Sequence, residues 1–428
     1  MHVLIVGGGI GGLSTALTLH QLGISCAVYE AVSELKPLGV GINLQTYSVR
    51  ELFNLGLEET LLDAGISAEG MAYFTRRGQH LLTDKIGSAA GFDWPQLHMH
   101  RGAFQMILAR EVQRRLGPDA LRLGHQCVNV EQHGGQVTAH FQDRRTGASL
   151  EPATGDILIA ADGINSSVRP LFYKNEKPPH WNRTIMWRGI TEGVRILDGH
   201  TMCVTGLHHH KFVCYHIKKP AEERREGESN LLLNWICELK APDDMEFRPE
   251  SWNRAGDMSE FLPAFEPWRF DWIDVPEIVT RHLGIWEFPM VDRDPLPQWT
   301  FGRVALLGDA AHPLTPVGSN GASLAVIDAR ILGRELAMRP DDPEAALEAY
   351  EADRRPALTR ILQSNRKGGP EEFMPLVEER APDGFDDIHD VLSEEELQTA
   401  ANYRAMTGLT TDSVNAVRSL IPTELFVN

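Results

Sequence analysis

The stretch His2-Val3-Leu4-Ile5-Val6-Gly7-Gly8-Gly9-Ile10-Gly11-Gly12 opens the chain, and its reading decides the fold. Residues 2–6 have the apolar, β-branched character of a short buried strand. The glycines then lead into a helical pattern that runs through Leu22 and stops at Gly23. A second strand follows at 25–30, so the chain begins strand, helix, strand and predicts a doubly wound, mainly parallel α/β sheet. In Gly7-x-Gly9-x-x-Gly12, with Gly11 in the same turn, the glycines permit a tight bend. They also let backbone N–H groups approach a pyrophosphate at the positive end of the helix. Glu30 ends the second strand 18 residues after Gly12, where a carboxylate can accept hydrogen bonds from both hydroxyls of an adenosine ribose. Together they predict a bound dinucleotide and leave FAD and NAD both open.

Outward from this start, 101–116 reads as an amphipathic helix, 128–142 as a hairpin around Gly134-Gly135, and 156–160 as another buried strand of the first sheet. Character changes between about 183 and 240. There the alternating segments 184–187, 212–217 and 231–237 predict a separate, more antiparallel sheet that forms a substrate domain. An apolar strand at 303–307 returns to the first sheet, followed by helices over about 320–338 and 343–366. Ser393-Glu394-Glu395-Glu396 has the form of a capping box. It starts a helix carrying Leu397, Ala400, Ala401 and Tyr403, with Gly408 as its end. The expected organisation is a discontinuous dinucleotide-binding domain (1–75, 98–178 and 282–368), a substrate domain (76–97 and 179–281), and an acidic segment with C-terminal helices (369–428).

The chain has 428 residues, 42% of them hydrophobic and 23% charged, which places it among globular proteins of more than one domain and excludes collagen-like or wholly disordered chains. Its net charge of −18 has the wrong sign for neutralising a nucleic-acid backbone. Much of that charge lies in 371–396, where eleven acids face a single base, Arg380. The five cysteines form no CxxC and are odd in number, which predicts reduced, packed thiols and a cytoplasmic setting. No apolar run reaches the ~20 residues of a membrane span. Because the first strand begins at residue 2, no cleaved leader is expected and no membrane partner.

Two later stretches resolve the cofactor. They are Ala161-Asp162-Gly163-Ile164-Asn165-Ser166-Ser167-Val168-Arg169, and Gly308-Asp309-Ala310-Ala311-His312-Pro313 with Pro316-Val317-Gly318-Ser319-Asn320-Gly321 beyond it. With the N-terminal glycines, they make residues 1 to about 366 resemble the class A flavin-dependent aromatic hydroxylases, which include para-hydroxybenzoate and salicylate hydroxylases. Within that family the likeness leans to bacterial phenazine hydroxylases, through Pro37-Leu38-Gly39-Val40-Gly41-Ile42-Asn43, Met186-Trp187-Arg188-Gly189 and Met290-Val291-Asp292-Arg293-Asp294-Pro295-Leu296-Pro297. Para-hydroxybenzoate hydroxylase carries an arginine just before the glycine that Gly41 matches. This chain has Leu38-Gly39-Val40 there, so nicotinamide docking does not carry over.

The resemblance implies FAD as cofactor. Asp309 would accept a ribityl hydroxyl, Arg101 would reach the ribityl and phosphate region, and Asp162 and Gly163 form the motif linked to both flavin and nicotinamide. Gly41 and Ile42, with Asn43, would line the isoalloxazine. The helix opening near Asn320 and Gly321, with Ala322, offers unpaired amides to the negative charge of reduced flavin, and Gly318 permits close approach of a planar ring. Pro316 matches the family proline beside the site of oxygen attack. The resemblance also implies NADH or NADPH as a transiently docking reductant, and with no second dinucleotide fingerprint after residue 12 a separate domain for it is not expected. The implied reaction is hydroxylation of a small aromatic or N-heteroaromatic substrate with O2 through a C4a-hydroperoxyflavin, in a monomer or homodimer. Trp187, Arg188, Tyr215 and Trp235 are the expected pocket residues. His208-His209-His210 is not read as a metal site, because consecutive strand side chains point to opposite faces. The alternatives are a flavin oxidase or dehydrogenase without oxygen insertion, and a non-catalytic FAD-binding redox sensor.

Overall fold

The computed structural model describes residues 1–37, 39–247, 254–407 and 409–427, so Leu38 and Gly408 of the sequence reading lie outside the described residues. The six-stranded sheet runs in the order Thr300–Phe301, Val304–Leu306, Ile157–Ala160, His2–Val6, Ser25–Tyr29 and Leu121–Arg122. Every pairing in it is parallel except that of the outermost strand Thr300–Phe301. Val3, Leu4, Ile5, Leu158 and Ile159 are fully buried, as strands covered on both faces require. The helices Ile10–Gln21 and Gly321–Met338 cross closely, and Gly333 makes this possible: a Cβ there would lie 2.5 Å from Thr18 Cγ2.

The alternating middle region forms an eight-stranded sheet: Arg254–Ala255, His282–Asp292, His180–Glu192, Leu231–Lys240, His210–Lys218, Thr201–Leu207, Gly70–Phe74 and His80–Lys85. It is antiparallel apart from the pairing of Thr201–Leu207 with Gly70–Phe74. Gly70–Phe74 and His282–Asp292 are hydrogen-bonded members of this sheet and not of the first. Because strand side chains alternate, the sheet has two apolar faces. One face, carrying Trp187, Cys203, Cys214, Trp235 and Cys237, packs on Phe261, Phe265 and Trp268. The other, carrying Met186, Val204, Val213, Tyr215 and Ile236, is covered by Val40 and by Phe373, Met374 and Val377 of the C-terminal segment. A small antiparallel sheet, Gly41–Leu44, Gln96–His100 and Ile66–Ala68, bridges the two large ones.

The hairpin around Gly134-Gly135 forms as His125–His133 with Gln136–Asp143. The capping box at Ser393 also forms. Gln398 (φ −83°, ψ 5°) leaves helical geometry, so the expected single helix is two, Glu394–Leu397 and Thr399–Met406. No helix among the described residues is long and apolar enough to cross a membrane.

Candidate active site

In the parallel sheet Val6 is in register with Tyr29 and Ala160, and Ala160 with Leu306. The residues that follow, Gly7, Glu30, Ala161-Asp162 and Leu307-Gly308-Asp309, therefore leave the sheet side by side at its carboxyl edge, where open α/β sheets bind their ligands. Gly7 has φ 108°, and a Cβ on it would lie 2.3 Å from the Ala161 carbonyl oxygen, so only glycine fits. Gly12 is equally constrained, 1.9 Å from the Gly7 carbonyl oxygen. A Cβ on Gly11 would lie 2.9 Å from Leu307 Cδ2, which ties the turn to the neighbouring strand end. By contrast, a Cβ on Gly9, Gly163 or Gly321 would meet nothing within 4 Å, so these three backbone surfaces border open space.

The acids sit around this opening. Glu30 accepts from the Gly8 amide (2.6 Å) and the Val32 amide (2.9 Å), while Gln105 donates to the Gly8 carbonyl (2.8 Å). Asp162 Oδ2 accepts from the amides of Ser167 (2.7 Å) and Val168 (3.3 Å), whereas its buried Oδ1 has no partner. Burial pushes the Asp162 carboxyl above its ordinary range. Asp309 is open to solvent yet ringed by protein, as a side chain on the floor of a cleft is. Burial raises its carboxyl, opposed by His312 and Arg101. Arg101 is exposed at the start of the helix Arg101–Leu116, and its Cβ lies 3.8 Å from the position of a Cβ on Gly39. An orphaned acceptor, a cation with an acid across from it, and three uncovered glycines are what a flavin dinucleotide needs from this edge.

A buried network that the sequence reading missed fixes the Asp309 turn. Asp328, fully buried on the helix Gly321–Met338, accepts from Arg354 Nε (2.8 Å), the Gly308 amide (3.2 Å) and His312 Nε2 (2.5 Å). Burial alone would push its carboxyl up, but His312 and Arg354 outweigh that and hold it below the ordinary range. The only sign in the sequence is an acid and an arginine set inside apolar helical stretches.

The segment after Pro316 is held open by two consecutive left-handed residues, Gly318 (φ 73°) and Ser319 (φ 54°). Asn320 turns its side chain inward, accepting from Tyr47 Oη (3.1 Å) and donating to Tyr403 Oη (2.9 Å). Tyr403 donates to Asn365 (2.8 Å), whose Nδ2 donates to the Val317 carbonyl (3.0 Å). The helix begins at Gly321, with Ala322 partly buried on its first turn. Asn320 thus fixes the loop with its side chain and leaves only backbone amides to the opening.

Facing this loop, Gly41 starts the strand Gly41–Leu44, with Ile42 partly buried beside it. Its amide donates to Asn234 Oδ1 (2.6 Å), and its carbonyl accepts from Arg188 Nη2 (2.7 Å). Tyr215 closes the remaining side, its Oη 2.8 Å from the position of a Cβ on Gly41, and its ring centre lies 4.7 Å from that of His98. Burial pushes the Tyr215 hydroxyl up to about 12, with Arg188 opposing, and lowers the His98 imidazole to about 3. Trp187 and Trp235 lie on the opposite face, their rings 4.9 Å and 6.2 Å from that of Phe261. They are therefore removed from the expected pocket: each sits next in sequence to a residue of the inner face, and the pleat turns it away. Asn234, His98, the buried pair Lys211 and Glu238, and the partly buried Glu371 lie on the inner side instead, with Lys211 Nζ 3.1 Å from Glu238 and 2.9 Å from Glu371. The three histidines diverge, His209 to Thr184 Oγ1 (2.7 Å) and His210 to the Ala264 carbonyl (3.0 Å), with His208 3.4 Å from Asn182.

The sequence matches the family described as FAD binding domain over residues 1–180 and 273–365. It is 41% identical over 366 residues to the phenazine 1,6-dicarboxylic acid hydroxylase of Lysobacter antibioticus, covering 85% of this chain and 89% of that protein. Two solved structures share the fold. The Klebsiella pneumoniae protein HpxO complexed with FAD and uric acid has a TM-score of 0.72 at 23% identity, over 98% of this chain and 96% of that one. A salicylate hydroxylase substrate complex has a TM-score of 0.71 at 20% identity, over 99% of each chain. The chain thus belongs to the FAD binding domain family and is one of its flavoprotein monooxygenases acting on aromatic rings.

Proposed function

We propose that the chain takes a hydride from NADH or NADPH and places one atom of O2 on a planar aromatic or N-heteroaromatic ring held beside Gly41, against the inner face of the eight-stranded sheet. In this reading Gly7, Gly9, Gly11 and Gly12 seat the pyrophosphate, and Glu30 takes the adenosine ribose. Asp309 and Arg101 take the ribityl and phosphate region, with Asp162 and Gly163 beside them. Pro316, Gly318, Gly321, Ala322 and the backbone of Asn320 face the ring system from one side, Gly41 and Ile42 from the other. FAD, when bound, supplies the hydride acceptor and the centre that activates oxygen.

The chain's own task is positioning and exclusion of water. Arg188, Tyr215 and Asn234 offer polar contacts within an otherwise apolar wall of Met186, Val204, Val213 and Ile236, closed over by Phe373 and Met374. Burial keeps the Tyr215 hydroxyl protonated and the His98 imidazole neutral at pH 7, so neither brings a charge to the ring, and the electron density that is attacked is the substrate's own. The observation that carries this reading is the Gly41 peptide, hydrogen-bonded to the substrate sheet within a strand that also bonds to the loop after Pro316 through Asn43 and Ser319 (3.1 Å).

The test is NADH and NADPH oxidation by the FAD-loaded protein under 18O2, with phenazine, hydroxybenzoate and purine probes, followed by mass spectrometry. Product carrying one 18O is the expected result. Stoichiometric hydrogen peroxide with unlabelled product would make the protein an oxidase.

A further inference from the structure

Two side chains of the inner face hold the Gly41 peptide from its two ends, and each keeps a second donor with no partner among the described residues. Asn234 is fully buried; its Oδ1 accepts from the Gly41 amide, and its Nδ2 has no partner. Arg188 is partly exposed; its Nη2 donates to the Gly41 carbonyl, and its buried Nε has no partner. Glu238, an acid whose charge Arg188 feels, is ion-paired with Lys211 instead. Other buried donors among the described residues, Trp187 Nε1 and Trp299 Nε1 for example, also lack a partner, but these two sit together on residues that grip one peptide at the edge of the candidate site, where an acceptor from outside the chain would satisfy both. The grip reaches further. Asn43, two residues on, donates to Ser319 in the left-handed turn after Pro316.

Resting on the hydroxylase reading above, we infer that Arg188 and Asn234 form a clamp whose free donors, Arg188 Nε and Asn234 Nδ2, bind an acceptor atom of the substrate, a ring nitrogen or a carboxylate oxygen. Seating the substrate and fixing the strand Gly41–Leu44 are then one event. Arg188 and Asn234 are specificity-determining residues that act on the flavin-lining strand through Gly41, and the preferred ligand is a flat heteroaromatic with an acceptor in its ring plane. An aromatic hydrocarbon of the same size leaves both donors unpaired and is rejected.

The informative substitution is Asn234→Asp, which keeps an oxygen for the Gly41 amide and replaces the Nδ2 donor by a second acceptor. Titration calorimetry of the FAD-reconstituted protein with phenazine, phenazine-1,6-dicarboxylate and anthracene-1-carboxylate reads affinity. Hydrogen exchange across residues 39–44 reads the strand. The wild type is expected to bind a phenazine, with slowed exchange at 39–44, and Asn234→Asp to weaken that binding ~10-fold or more and abolish the slowing. Phenazine binding as tightly as its dicarboxylate assigns the ring nitrogen as the acceptor. Binding of both carboxylates but not phenazine assigns the carboxylate oxygen. Arg188→Lys, which keeps the charge but lacks Nε–H, gives the same readout should Asn234→Asp fail to fold. Variant affinities within twofold of wild type, or exchange at 39–44 indifferent to ligand, overturn the clamp while the 18O result above stands. A wild type that binds none of the three rings overturns the clamp and leaves the hydroxylase reading to the 18O experiment.

Discussion

Asp328 shows how much a single buried acid contributes to a site it never touches. It joins Gly308, His312 and Arg354, so the turn that presents Asp309 depends on it. Asp328→Asn strands two cationic or polar partners in the core, and a loss of about 3–5 kcal/mol is expected in urea unfolding, together with weaker FAD retention. The pH dependence has a definite sign. A carboxyl held below its ordinary value in the folded state stabilises above the unfolded value of about 3.9, and that stability fades as pH falls through the folded value. The melting-temperature gap between wild type and Asp328→Asn is therefore expected to be constant near neutrality and to close below about pH 4. A gap independent of pH in that range would show that the ionised carboxylate is not what holds the turn.

Among the elements, the strands and helices were readable because their signals are local. Glycines at fixed offsets specify a turn, and alternation specifies a strand. What alternation does not tell is which face looks inward. Trp187 and Arg188 are neighbours in one strand, and only the pairing of His180–Glu192 with Leu231–Lys240 and His282–Asp292 assigns Arg188 to the site and Trp187 to the core behind it. Asn234 escaped notice for the same reason, since one amide in an apolar strand has no signature until Gly41 is brought to it from 193 residues away. Nor does composition encode that a distant segment such as Gly70–Phe74 joins this sheet by hydrogen bonds. Also at this scale, Lys211 pairs with two acids from different elements, the buried Glu238 in a strand and the partly buried Glu371 after the long helix Pro343–Asn365. Lys211→Met leaves the two carboxylates confronting each other and is expected to cost about 3–5 kcal/mol, measured by denaturant unfolding. Adding Glu238→Gln and Glu371→Gln should recover most of it, and a triple variant no more stable than Lys211→Met would rule out this electrostatic account.

For the molecule as a whole, the acidic C-terminal segment is part of the enzyme body. Glu371, Glu378 and Asp383 pair with Lys211, Arg76 and Arg77 of the eight-stranded sheet or its connections, while Phe373, Met374, Val377 and Leu392 cover its inner face. The exposed pairs among these contribute little stability, so the apolar contacts hold the segment and the charges set where it docks. Removing residues 369–428 is expected to yield protein that aggregates, by light scattering, because the face the segment covers becomes an exposed apolar surface. A monodisperse, fully active truncated protein would show the segment to be dispensable.

Absorbance spectroscopy of the purified chain tests whether the four adjoining strand ends at the carboxyl edge seat FAD. A yellow protein is expected, or an apoprotein that takes up one FAD per chain, with Asp309→Ala and Gly7→Ala markedly weakened in that uptake. A colourless protein that refuses added FAD would contradict it.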